Sequence, residues 1–223
     1  MKTVRRPLLR VVDEPEPAWH VAYLFPPQGQ WTEDEYLALD TNRLVELSDG
    51  VIEVLPMPTT WHQLLVAYLH RLLSDFASAR DLGTALFAAL PVRLWRNKFR
   101  EPDVVFMLKE HENRIGDYWE RADLVMEVVS PDDESRKRDL KEKRREYARA
   151  GIPEYWIVDP QKRRITVLRL VGKRYVVHGE FGEESIATSH LLPGFSVDVS
   201  AMFAQATRKG SNGKGPRRSR RSS

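Results

Sequence analysis

The chain contains no cysteine. That excludes disulfides, thiolate nucleophiles, and zinc or iron–sulfur centres held by sulfur. It also fits a reducing cytoplasm, which is the expected location. No apolar run approaches the roughly 20 residues that a spanning helix needs, so no membrane association is expected. The opening segment, Met1-Lys2-Thr3-Val4-Arg5-Arg6-Pro7-Leu8-Leu9, is basic, but Asp13, Glu14 and Glu16 follow before any long apolar stretch. This argues against a secretory leader. Also missing are a glycine-rich phosphate loop, a His-Glu-x-x-His zinc motif and a nucleophile elbow. No internal repeat is visible.

What is present is one core of ordinary size: 223 residues, 42% hydrophobic and 9% aromatic, fit a single folded domain. The net charge of +3 conceals a division. Residues 208–223 hold seven Lys/Arg and no acid, so the rest carries 28 basic against 32 acidic residues. The basic, Gly/Ser-rich tail lacks apolar residues to offset the entropy of ordering and is expected to be disordered. It serves either as a solubilising end or as a non-specific polyanion contact. Residues 1–28, rich in proline, read as a loose arm, residues 29–206 as one domain, and 207–223 as the tail.

Within the domain, Thr32-Glu33-Asp34-Glu35 is a capping-box pattern that opens a short helix. Asp49-Gly50 between Arg43–Leu47 and Val51–Leu55 predicts a hairpin. Thr59 or Thr60 caps a longer helix to about Ala79, with Leu65, Leu69, Leu72 and Phe76 on its apolar face. Three apolar runs, 84–95, 103–108 and 122–129, read as strands. A charged helix over 134–150 ends at Gly151. It is long enough to cross over between neighbouring parallel strands. Strands follow at 154–158, 164–170 and 174–178, then a short segment after Pro193-Gly194 and a helix near 200–206. This order predicts an α/β fold: a mixed β-sheet flanked by helices, with additional β-hairpins.

The candidate chemistry rests on two acids. Asp103 opens the strand Val104–Met107, and Glu127 is the one charge between Leu124 and Val129. If those strands pair, both carboxylates converge at one sheet edge, and the Val128 carbonyl adds a third oxygen. Hard oxygen donors suit a divalent cation that stabilises phosphoryl charge. The plainer readings are a turn aspartate after Pro102 and a paired core glutamate. Lys143 follows Leu140 by three residues and precedes Tyr147 by four, which places it on the apolar stripe. There it stabilises a phosphoryl group or orients water; alternatively it pairs with Asp139 on the helix surface. His62 and Glu46 lie where either would reach a metal or its water, although a lone histidine near a helix start is commonly a hydrogen-bonded surface or core group. Asp49 is first a hairpin residue, and Tyr147, Tyr155 and Trp156 read as core.

These segments together resemble the Uma-two family, within the PD-(D/E)xK restriction-endonuclease-like superfamily, from about Thr32 to Phe203. The matching pieces are Val45-Glu46-Leu47-Ser48-Asp49-Gly50, His62, Pro102-Asp103 and Asp123-Leu124-Val125-Met126-Glu127-Val128-Val129-Ser130-Pro131. Asp139-Leu140 with Lys143, Tyr147 with Ala150-Gly151, and Pro153-Glu154-Tyr155-Trp156-Ile157-Val158-Asp159-Pro160 complete the match. The resemblance implies a restriction-endonuclease-like core and Mg2+-dependent cleavage of DNA, with Asp103 and Glu127 as metal ligands. Mn2+ is the expected substitute, RNA the lesser alternative substrate, and a homodimer the candidate assembly. The superfamily pattern places a lysine two residues after the glutamate, where this chain has Val129. The resemblance instead supplies it from the next helix, at Lys143. The rival expectation is a catalytically inactive nucleic-acid-binding or scaffold protein that retains the fold.

Overall fold

The computed structural model describes residues 25–41 and 43–208, apart from the side chains of Arg114 and residues 206–208. The expectations for most of the N-terminal arm and nearly all of the basic tail therefore lie outside the described residues. At the arm's end, Gln28 accepts from the Ile52 amide at 2.8 Å and donates to its carbonyl at 3.2 Å.

Helix α1 spans Glu33–Leu37 and carries the expected capping box between Thr32 and Glu35. Strands β1 (Val45–Ser48) and β2 (Val51–Val54) form the hairpin. Its turn needs two positive φ angles, 51° at Asp49 and 83° at Gly50, which is why an Asp-Gly pair stands there. Helix α2 covers Thr60–Ser78, capped by the Thr59 side chain. Strand β3 is Gly83–Phe87, β4 Val92–Trp95, β5 Lys98–Arg100 and β6 Val104–Leu108. A 3-10 turn over Lys109–Arg114 leads toward β7, Leu124–Val128.

Two expectations need correction here. The run 84–95 is not one strand: β3 joins one sheet and β4 another. The helix over 134–150 forms as one unbroken run but is not α-helical throughout. It comprises α3 (Asp133–Lys137), a π-helical segment (Arg138–Glu142) and α4 (Lys143–Ala150). The widened turn has a local partner, because the Tyr155 hydroxyl donates to the Asp139 carbonyl at 2.9 Å, and such inserted bonds loosen the ordinary helical ladder. Gly151 then closes α4 in the left-handed region at φ 79°, as expected of a terminating glycine. Strands β8 (Glu154–Asp159), β9 (Arg164–Val171), β10 (Arg174–Phe181), β11 (Ile186–Thr188) and β12 (Ser196–Asp198) follow, then helix α5, Val199–Arg208.

The main sheet is six-stranded and mixed, in the order β10-β9-β8-β7-β6-β3, with β7 and β8 parallel. The segment from α3 to α4 is their crossover, as the 134–150 reading required. One face packs Val104, Phe106, Leu124, Met126, Trp156 and Val158 against α2 and α5. The other packs Val105, Val125, Tyr155 and Ile157 against Tyr147 and Ala148 of α4. A second, antiparallel sheet, β2-β1-β5-β4, packs Val45, Leu47 and Phe99 on Trp31 and on Tyr36 of α1. It lies beside the mouth of the first sheet and brings Glu46 to it. Among the described residues no helix is long and apolar enough to cross a membrane.

Candidate active site

The pairing of β6 with β7 decides the geometry. Val104 stands opposite Met126, so one step along the ladder Asp103 stands opposite Glu127. Alternate side chains of a strand share a face. Asp103 and Glu127 therefore match Val105, Val125 and Val129 and face α4.

Glu127 is 3% exposed. Its Oε1 accepts from Lys143 Nζ at 2.8 Å and from the Tyr147 hydroxyl at 2.6 Å. Asp103 Oδ2 accepts the Val128 N–H at 2.7 Å and lies 3.2 Å from His62 Nε2. One oxygen of each acid is thereby held, leaving Glu127 Oε2 and Asp103 Oδ1 without a protein donor among the described residues. Burial drives the Glu127 carboxyl above its ordinary range; Lys143 opposes this, and the charges of Asp103 and Asp139 add to it.

Lys143 resolves the open question of helix phase. It is buried, with Glu46 Oε1 at 3.5 Å and Asp139 Oδ1 at 3.7 Å. The pair with Asp139 does form, but inside the protein. Burial works against the ammonium, yet Glu127, Glu46 and Asp139 outweigh it and keep Lys143 protonated. Glu46 points from β1 away from Val45 and Leu47, to accept Arg100 Nη1 at 2.5 Å and the Glu101 N–H at 3.0 Å. Burial would raise its pKa, but Lys143 and Arg100 together bring it down to about 2. Glu46 thus anchors the lysine and does not line the cavity. His62 does line it. Burial disfavours the charged ring, but the bond to Asp103 prevails and raises the pKa, while Nδ1 is buried without a partner.

A cavity of about 50 Å³ is lined by Glu101, Asp103, Glu127, Asp139, His62, Val128, Arg138 and Lys143, among others. Four acids thus face two permanent cations. Sequence reasoning did not single out Glu101. Its Oε2 is buried and has no hydrogen-bond partner among the described residues. Burial and the charge of Glu46 push its carboxyl up to about 7, against the pull of Lys143 and of nearby Tyr36; the Tyr36 hydroxyl itself donates to the Val45 carbonyl at 3.0 Å. Asp139 is likewise pushed up by burial, against Lys143 and Arg138. Tyr147 was read as core. It is core, with its ring 5.1 Å from that of Tyr155, and its hydroxyl also belongs to the site.

The donor set fits a hard divalent cation. Asp103 Oδ1, Glu127 Oε2 and Glu101 Oε2, which accept no protein hydrogen bond among the described residues, offer carboxylate oxygens in a net negative cavity. Among the described residues no three His, Asp or Glu side chains are already drawn together as a complete ligand set.

A mixed sheet with two opposed acids and a lysine delivered by the crossover helix defines a restriction-endonuclease-like protein. Residues 33–200 match the family described as "Uma2: Putative restriction endonuclease", and the chain belongs to that family. It is also similar in fold to a solved protein from Anabaena variabilis described as "a putative nuclease belonging to DUF820". That match has a TM-score of 0.67 at 18% identity and covers 79% of this chain and 99% of the other. No functionally curated protein matches.

Proposed function

We propose that the chain is a Mg2+-dependent nuclease that hydrolyses phosphodiester bonds in DNA, with Mn2+ as a substitute. The observation that carries this reading is the protonated Lys143, buried beside two opposed acids that each keep one oxygen unclaimed. Asp103, Glu127 and the Val128 carbonyl would hold the metal. A bound divalent cation supplies charge neutralisation at the phosphoryl oxygens and makes a nearby water more acidic. Lys143 stabilises the negative charge that grows on those oxygens during attack. Tyr147 and Lys143 fix Glu127 in place. Glu46 positions Lys143, and His62, held by Asp103, can move a proton at Nε2. The family description favours DNA as substrate.

Nicking of supercoiled plasmid with Mg2+, and its loss with EDTA, tests the reading. Nicking should also disappear in Glu127→Gln. Retarded migration of DNA without nicking, in either Mg2+ or Mn2+, would identify a binding protein that has kept the fold. Faster cleavage of RNA than of DNA would move the substrate assignment.

A further inference from the structure

On the side of α4 away from Lys143 lies a cleft of about 570 Å³ lined by Lys141, Arg144, Arg145, Lys173, Arg174 and Tyr175, with no acid in its wall. The first three cations recur at three- and four-residue steps along the π segment and α4, which places them on one side of the helix. The other two come from the turn and first residue of the β9–β10 hairpin. In a body that carries more acids than bases, five cations without a carboxylate among them are a concentration of charge and not the average surface.

The nearby acids are spent elsewhere. Asp139 is buried against Lys143, Glu142 lies 3.6 Å from Lys137, and Glu146 holds Lys98 at 2.6 Å and Arg100 at 2.8 Å. Glu180 and Glu183 pair with Arg164 and Arg163. Among the described residues, Lys141, Arg145, Lys173 and Arg174 have no carboxylate partner, and Arg144 reaches only the Tyr175 carbonyl at 3.4 Å. Cations left unpaired together gain most from a ligand that brings several negative charges at fixed intervals.

We propose that this cleft binds the phosphodiester backbone of duplex DNA on one flank of the cleaved phosphate. The inference rests on the DNA-cleaving reading and adds where the substrate is gripped. One helix carries both functions. Its inner side presents Lys143 and Tyr147 to Glu127, and its outer side presents the basic row. A helix with its side chains is about 10–12 Å across, and a duplex turn runs about 34–36 Å. A duplex turn is therefore longer than the helix is wide, and a duplex gripped at the cleft extends past the helix. Five guanidinium and ammonium groups, beside a Tyr175 that is only 7% exposed, read backbone and not base, so the grip is independent of sequence.

The test is equilibrium binding of a fluorescent duplex to the full chain in EDTA, so that no cleavage occurs, over a series of salt concentrations. The variant is Lys141→Gln/Arg145→Gln/Lys173→Gln. Its control, Arg71→Gln/Arg80→Gln/Lys109→Gln, removes the same charge elsewhere on the surface. Each lost phosphate contact lowers the slope of log affinity against log salt by roughly 0.9. The cleft variant should therefore lose roughly 2–3 units of slope, and the control should lose almost none. An unchanged slope in a variant that still cuts plasmid overturns the cleft and leaves the nuclease reading intact. Equal losses in both variants overturn it as well, because the charge would then act at no particular place. Wild-type protein that neither binds nor cuts DNA overturns both readings. Binding of phosphatidylserine vesicles through these residues, with no DNA binding, would assign the cleft to a membrane surface instead.

Discussion

Tyr147 and Lys143 meet on a single oxygen of Glu127, at 2.6 Å and 2.8 Å. Two donors on Oε1 hold the carboxylate plane and leave Oε2 without a protein donor among the described residues. The tyrosine ring is independently seated against Tyr155, so Tyr147→Phe should fold normally. A hydrogen bond to a charged group contributes about 1.5–3 kcal/mol. If all of it is expressed in the transition state, cleavage slows by roughly 10–100-fold. The required Mg2+ concentration should rise as well, which a titration of single-turnover rate against Mg2+ will show. A rate and Mg2+ requirement equal to wild type would make Tyr147 a packing residue.

Glu127→Gln and Asp103→Asn keep the shape of each side chain and remove its charge. In the first variant the amide oxygen can still accept from Lys143 and Tyr147, so the sheet should survive. Plasmid nicking should vanish in both variants, with circular dichroism and thermal midpoint close to wild type. Residual nicking at the wild-type rate in either one would remove that acid from the metal site.

Much of this site was legible because it lies on regular elements. Asp103 and Glu127 begin or interrupt Val-rich runs, and Lys143 shares the phase of Leu140 and Tyr147. The Asp49-Gly50 hairpin and the Thr32 and Thr59 caps follow from local rules of backbone conformation. What escaped lies where tertiary packing overrides local pattern. Strand β5 is three residues long, and its Lys98 and Arg100 are buried charges satisfied by Glu46, Glu53 and Glu146 from other elements. Such a segment has the composition of a loop. Without β5 the second sheet is invisible, and with it the burial of Glu101, which follows Arg100 directly. The π segment was hidden for a related reason. The bond that accompanies it, from the Tyr155 hydroxyl to the Asp139 carbonyl, comes from a strand beyond the helix.

The Arg100–Glu46 pair predicts a pH dependence. Glu46 sits at about 2 in the folded protein, against an ordinary 4.5, because Lys143 and Arg100 overcome its burial. A depressed carboxylate contributes stability above its unfolded pKa and loses it as pH falls toward the folded value. The wild-type thermal midpoint should therefore decline between about pH 4.5 and pH 2. In Glu46→Gln this contribution disappears and the acid limb becomes shallower. At pH 7 the same variant leaves Arg100 with Glu53 and Glu146 as partners, so its loss of stability should be smaller than that of a buried charge left uncompensated. An acid limb as steep as wild type would show that other carboxylates carry it.

Lys143 and Lys141 provide the sharpest contrast, because they differ by two positions on one chain segment and face opposite ways. Lys143 is buried among Glu127, Glu46 and Asp139, whereas Lys141 lines the outer cleft. Lys143→Ala should lower single-turnover cleavage at saturating DNA by at least ~100-fold, the scale of losing one preorganised charge stabiliser. It also removes a cation shared by three buried acids and leaves Glu127 without a basic partner among the described residues, so the measurement belongs at a temperature where circular dichroism shows the variant folded. Lys143→Arg keeps the charge in a longer, planar group and should recover stability before it recovers rate. Lys141→Ala should leave the saturated rate unchanged and weaken only the capture of DNA, most visibly at low salt. Equal loss of saturated rate in Lys141→Ala and Lys143→Ala would mean that neither residue acts at the reacting phosphate and that both serve the helix. A folded Lys143→Ala variant with a normal rate would move the charge-stabilising role to another cation at the cavity wall, with Arg138 the first to examine.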